Sequence, residues 1–167
     1  MTATDFGRPI EILLVDDDDD DVFLMKIHME RDHIANRISR VQDGVEAMQY
    51  LRQQAPFEDA VRPDLIFLDL NMPRKDGREV LREIKADKNL CTIPVIVLTT
   101  SDQNSDIVES YERHASSYVT KPVDLLQFRH VLKSLGGYWF SVVKFPCGTP
   151  LEKFAEPTAC TSGGADA

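Results

Sequence analysis

Short apolar runs that stop abruptly at a polar side chain constrain this chain more than any other feature. Ile10–Val15 is a compact run ending in the acids Asp16 and Asp17, Leu65–Leu68 is continuous and closes on Asp69, and Pro94–Leu98 closes on Thr99. Runs of four to six residues without polar alternation predict strands buried on both faces. Between them lie longer amphipathic stretches. Asp19–Arg31 places Val22, Met25, Ile27 and Met29 at roughly helical spacing, with aspartates at its start to cap it and oppose the helix dipole. Arg37–Val41 predicts a weaker strand, and Asp43-Gly44 leads into a helix carrying Val45, Met48, Tyr50 and Leu51. A helix follows Gly77 with Val80, Leu81 and Ile84 inward, and another covers Asn104–Arg113. Ser117–Thr120 predicts a short fifth strand ending at Lys121-Pro122. Asp124 can cap a last helix whose Leu125, Phe128, Leu132 and Leu135 recur at helical intervals.

Five strand–helix units of this kind predict an α/β fold, a doubly wound five-stranded parallel sheet with helices on both faces. Such sheets place their ligand site beyond the carboxyl ends of the strands, where the strand order switches. That rule singles out Asp16 and Asp17, Asp69, Thr99 and Thr100, and Lys121. A lead of residues 1–8, one domain over 9–146 and a flexible tail over 147–167 are expected, because 167 residues hold one ordinary domain and not two. The tail is small, polar and rich in Thr, Gly and Ala.

Composition narrows the function classes. Hydrophobic content of 43% and charged content of 28% are those of a soluble globular protein. A net charge of −9 and a pI near 4.9 argue against a nucleic-acid surface and suit a cation or a basic protein partner. No apolar stretch reaches membrane-spanning length and no secretory signal is visible at the start, so a cytoplasmic location is expected. Cys91, Cys147 and Cys160 are scattered without metal spacing, and so are His28, His33, His114 and His130. Reduced thiols and structural or surface histidines follow.

Three carboxylates at neighbouring strand ends repel one another and call for a compensating cation. Asp16, Asp17 and Asp69 are hard oxygen ligands suited to Mg²⁺, and with Mg²⁺ and Lys121 the site is formally neutral. Asp69 can then act as a carboxylate nucleophile toward a phosphoryl donor, with Lys121 and the metal neutralising the equatorial oxygens and Thr99 donating a hydrogen bond. Each feature also has a plainer reading. An acidic run such as Asp16–Asp21 is usually a solvated surface, Asp69 can be a strand-end cap, and threonines are common in strands. Asp18, Asp19 and Asp20 keep the plain reading, as charges at a helix start.

From Ile10 to Leu135 the chain resembles the receiver domain of two-component response regulators. The resemblance is carried by Leu13–Asp17, Phe67–Pro73, Asp76-Gly77, Pro94–Thr99 and Tyr118–Pro122, five motifs in order and at the right spacing. It implies that Asp69 accepts a phosphoryl group from a sensor histidine kinase. It also implies that Asp17 and Asp69 bind Mg²⁺ directly, that Asp16 acts through the metal's water shell, and that the Asn71 backbone carbonyl completes the protein ligands. Thr99 matches the switch hydroxyl, Tyr118 the aromatic switch position, and the Lys121–Pro122 bond is cis in most relatives. The ending Tyr138–Pro146 resembles single-domain regulators that accompany bacterial phytochrome kinases. The unbroken acids Asp18–Asp20 depart from relatives, which have mixed small residues there.

Three other functions compete. Haloacid-dehalogenase-like phosphatases also use an aspartate nucleophile and Mg²⁺ after an apolar strand, but they need an acid two residues on, where this chain has Asn71. A degenerate receiver could bind protein without phosphorylation; the complete set of acids, hydroxyl and lysine speaks against it. The stretch after Leu135 is too short for a winged-helix output domain, so a transcription factor is not expected. The apolar segment with Trp139, Phe140, Val142, Val143 and Phe145 either folds back on its own domain or forms an interface, and homodimerisation is the expectation. The switching surface would comprise the fourth helix, fifth strand and fifth helix, from which that segment leaves.

Overall fold

The computed structural model describes residues 9–31, 36–100, 107–108, 111–112, 114–121, 126–127, 130–131 and 133–134. In chain order these form β1 (Ile10–Val15), α1 (Asp19–Arg31), β2 (Asn36–Val41), α2 (Gly44–Leu51), β3 (Leu65–Leu68), α3 (Gly77–Ala86), β4 (Val95–Thr99) and β5 (Ser117–Thr120). Residues 107–108 and 111–112, and the described residues from 126 to 134, are helical, within the two further helices expected.

The strands form one parallel sheet in the order β2-β1-β3-β4-β5. The chain steps from β1 outward to β2, then crosses to β3 on the other side of β1. The switch point therefore lies at the carboxyl ends of β1 and β3. Within each strand, alternate residues feed two separate cores, as the pleat demands. Leu13, Val15, Ile66, Leu68, Val95 and Val97 pack with Ala47, Met48 and Leu51 of α2 and Val80, Leu81 and Ile84 of α3. Ile12, Leu14, Leu65, Phe67, Ile96 and Leu98 pack with Val22, Met25 and Met29 of α1. Each such side chain contributes about 1.5–3 kcal/mol on burial, and this double burial holds the strand ends in register.

Three aspartates open helices. Asp18 accepts from the backbone N–H groups of Asp20 (2.9 Å) and Asp21 (3.1 Å), Asp43 from Val45 (2.8 Å) and Glu46 (3.0 Å), and Asp76 from Arg78 (2.6 Å). Losing one such cap costs about 1 kcal/mol. Two glycines permit close approach. A Cβ on Gly77 would overlap the Asp69 carbonyl oxygen and sit 2.7 Å from Leu70 Cα; one on Gly44 would sit 2.6 Å from the Lys75 carbonyl oxygen. These contacts draw α2 and α3 up under the end of β3.

Three sequence expectations are corrected in detail. Pro94 precedes β4 instead of opening it; it has no N–H to donate, although its carbonyl accepts from Ile66 N–H at 3.1 Å. Val45 faces outward, because Gly44, Ala47, Met48 and Leu51 form the buried stripe of α2. Ile27 is half-buried, because Val22, Met25 and Met29 occupy the inner face of α1. His33, Pro122, Asp124, the anchors Leu125, Phe128, Leu132 and Leu135, the Trp139–Phe145 segment, and Cys147 and Cys160 lie outside the described residues.

Candidate functional site

Ladder hydrogen bonds continue one residue beyond the strands and so aim the residues that follow. Asp16 N–H donates to the Val41 carbonyl at 3.2 Å, Asp69 N–H to Val15 at 3.0 Å, and Lys121 N–H to Thr99 at 2.7 Å. Asp16, Asp69, Thr99 and Lys121 are all buried polar residues, at 1%, 8%, 0% and 6% exposure. Polar burial of that degree demands internal partners.

Lys121 supplies most of them. Its Nζ donates to Asp16 Oδ2 at 2.6 Å, Asp21 Oδ2 at 2.7 Å and Asp69 Oδ2 at 3.2 Å, so three carboxylates meet three ammonium protons. Burial alone would push the ammonium toward neutrality, but the charges of Asp16 and Asp69, with the bonds to Asp16 and Asp21, outweigh it and hold Lys121 above its ordinary value. Burial dominates at Asp16 instead, raising its carboxyl to about 6 despite the Lys121 charge and the bond from Asp18 N–H. The pair stays ionic at neutral pH, with Asp16 the strained partner.

The Asp69 carboxylate is gripped from two sides. Oδ2 faces Lys121, and Oδ1 accepts from the Asn71 backbone N–H at 3.0 Å. Asn71 also donates its side-chain Nδ2 to Thr99 Oγ1 at 3.2 Å. An open cleft of about 610 Å³ lies above, lined by the acidic residues 17–21, Asp69, Asn71, Thr100 and Lys121. One oxygen from each of Asp16, Asp17 and Asp69 falls within 4.8 Å of the others, a spacing and donor type that fit a hard divalent cation. Among the described residues no other group of three or more acids, histidines and cysteines comes together in this way.

The response regulator receiver domain family matches residues 12–133. This chain belongs to that family. The receiver is 41% identical over 138 residues to the response regulator Rcp1 of Synechocystis sp. (strain PCC 6803), covering 83% of this chain and 94% of Rcp1. A crystal structure of the Mn²⁺-bound form of Rcp1 superposes with a TM-score of 0.81, covering 83% of this chain and 99% of that one. A phosphorylated cyanobacterial phytochrome response regulator, RcpA, is 43% identical with a TM-score of 0.80 over the same shares. Receivers of this kind are signalling proteins. Among the described residues no helix is long and apolar enough to cross a membrane.

The strand-end residues singled out in the sequence thus converge in this receiver: Asp17, Asp69 and Lys121 line one cleft, and Asp16 is buried against Lys121. Thr100 faces that cleft, whereas Thr99 is wholly buried beneath it against Asn71. Tyr118 is half-buried on β5, packed against the core on the α2–α3 side. Asp18 caps α1 and Asp19 pairs with Arg40 at 2.6 Å, in keeping with their reading as helix-start charges.

Two residues were missed. Asp21 joins the Lys121 cluster, so four carboxylates and not three share the site, and the formal neutrality drawn from the sequence does not hold. Arg40, on β2, donates from Nε to the Asp16 carbonyl at 3.2 Å as well as pairing with Asp19, and so fastens the acidic loop to the sheet. An arginine near the end of the strand beside β1 was the available signal.

Proposed function

We propose that this receiver accepts a phosphoryl group on Asp69 from a sensor histidine kinase, in the cytoplasm, with Mg²⁺ beside the acceptor. The observation that carries the proposal is the Asp69 carboxylate, buried at a strand end and held between the Lys121 ammonium and the Asn71 N–H. A carboxylate oxygen of Asp69 attacks the phosphorus of the kinase phosphohistidine, the phosphorus–nitrogen bond breaks, and an acyl phosphate forms. Asp17 and Asp69, with Asp16 and the Asn71 carbonyl, would hold Mg²⁺, whose charge would help neutralise the phosphoryl oxygens. Lys121 neutralises charge arriving on the transferred group. The Asn71 side chain occupies the place where an aspartate-nucleophile phosphatase needs a second acid, and an amide cannot serve as general acid or base. A signalling role, and not turnover of small phosphate esters, follows.

Phosphorylation adds about two negative charges. The Thr99 hydroxyl would leave Asn71 to meet them, and the space it vacates would admit the Tyr118 ring. The face formed by β5 and the helical residues on either side of it is then the switching surface. By analogy with the phytochrome regulators among its relatives, the kinase is proposed to be a bacterial phytochrome, and the segment with Trp139, Phe140, Val142, Val143 and Phe145 a homodimer interface. No DNA-binding output is assigned. With acetyl phosphate or a partner kinase, Asp69→Asn should abolish labelling while leaving the thermal transition intact; persistent acid-stable, base-labile label would sink the assignment. Sedimentation of labelled and unlabelled protein, full-length and ended after Leu135, tests the dimer. Equal sedimentation of both lengths in both states would exclude that interface.

A further inference from the structure

We infer that Asp21 is the positioning residue for Lys121, the one carboxylate that keeps the ammonium over the cleft when a metal ion takes up its other partners. The inference rests on the proposed phosphoacceptor role of Asp69. Lys121 Nζ bonds three carboxylates, and two of them, Asp16 and Asp69, also belong to the oxygen cluster able to hold a divalent cation. A cation drawing on those two weakens their hold on the ammonium. Asp21 lies outside that cluster, so its 2.7 Å bond does not compete with the metal.

Local structure prepares Asp21 for this task. With Asp18 as cap, Asp21 is the third residue of the first turn of α1, and its own N–H donates to Asp18 Oδ1 at 3.1 Å. An acidic or amide side chain at that position ordinarily reaches back to the N–H of the capping residue. Here the Asp18 N–H is satisfied by Asp16 Oδ1 at 2.9 Å instead, which leaves the Asp21 carboxylate available to Lys121, 100 residues away. A lysine stem has four rotatable bonds, and holding its head in one place limits the entropy lost when it meets a phosphoryl oxygen. A purely local role, an acid favoured by the dipole at a helix start, would not require the side chain to point at Lys121.

The test uses the full chain with Mg²⁺ and acetyl phosphate. Asp21→Ala should slow labelling of Asp69 by about tenfold, the scale of one lost charge-assisted bond, while Mg²⁺ affinity measured by calorimetry changes by less than about threefold, because Asp21 stands outside the cluster of oxygens able to hold the cation. Because Asp21 acts through Lys121, the same substitution in a Lys121→Ala background, followed over long incubation, should add no further loss. Asp21→Asn, which keeps shape and one acceptor, should lie between wild type and Asp21→Ala, and replaces it in every comparison if the alanine variant does not fold. Labelling of Asp21→Ala at the wild-type rate or faster would overturn the inference. So would a parallel loss of Mg²⁺ affinity, which would make Asp21 part of the metal site, or losses that multiply in the double variant. Failure of the phosphoacceptor reading would look different, since wild type itself would then go unlabelled or Asp69→Asn would still be labelled.

Discussion

The two loops that flank the cleft are built on opposite principles. The loop between β1 and α1 is held by charge: Asp16 faces Lys121, Asp19 faces Arg40, and Asp17, Asp18 and Asp20 are exposed. The loop between β3 and α3 is held mainly by shape. Gly77 lies against the Asp69 carbonyl and Gly44 against Lys75, while Arg74, with a left-handed backbone at φ 64°, reaches the buried carboxylate of Asp43 at the start of α2. Lys75 adds an ion pair with Glu83 of α3. The Asp69 carboxylate, the proposed acceptor, and its Asn71 neighbour thus stand on a packed base, where a misplacement of an ångström would be costly. The acidic loop stands on interactions that salt and a bound cation can change. A nucleophile needs fixed geometry; a cation site needs charge that can be neutralised.

Gly77→Ala should break the packed side of this contrast most severely. The new methyl would meet backbone on both Asp69 and Leu70, which cannot step aside as a side chain can. A loss of about 2–4 kcal/mol is expected, read as a fall of roughly 3 °C in melting temperature per kcal/mol. Any chain that remains folded should label poorly at Asp69. Unchanged melting would show that the β3–α3 loop is looser than its contacts suggest.

On the charged side, place in the loop should matter more than charge alone. Asp17→Ala should weaken Mg²⁺ binding by about tenfold or more, because it removes an oxygen of the proposed metal site. Asp19→Ala should weaken it by less than about threefold, through the screened field and a loosened Arg40. Titration calorimetry of both variants decides the point. Equal losses would mean that the cleft attracts its cation by total charge and not by geometry.

The smallest effect is expected at the outer buttress of the packed loop. Hydrogen bonding from Lys75 holds the Glu83 carboxyl below its ordinary 4.5, with Arg52 at 3.1 Å assisting. A carboxylate depressed in this way contributes stability above its unfolded value and loses it as pH falls through the folded one. Glu83→Gln should therefore cost less than about 1 kcal/mol at pH 7, and the deficit should shrink as the pH is taken below 4.5 and disappear in stronger acid. Urea denaturation at several pH values measures it. A deficit independent of pH would assign the role of Glu83 to packing.

Much of this is legible in the sequence. Burial on both faces forces continuous apolar runs, so β1, β3 and β4 announced themselves, and a parallel sheet places chemistry at strand ends, which picked out Asp16, Asp69, Thr99 and Lys121. Helix bounds were readable for Asp19–Arg31 because acids, cap and periodicity agreed. Tertiary structure alone decided which acids Lys121 meets. As local sequence, Asp21 has the same signature as Asp19 and Asp20, an acid in a first helical turn; only the packing of α1 beside the end of β5 turns one toward the lysine and leaves the others outside. For Arg40 the only signal was its place near the end of the strand beside β1, which does not say that its guanidinium will span to the neighbouring loop. Periodicity encodes which face of an element is buried, while partners a hundred residues apart depend on strand order and side-chain reach, and those exist only once the sheet is assembled.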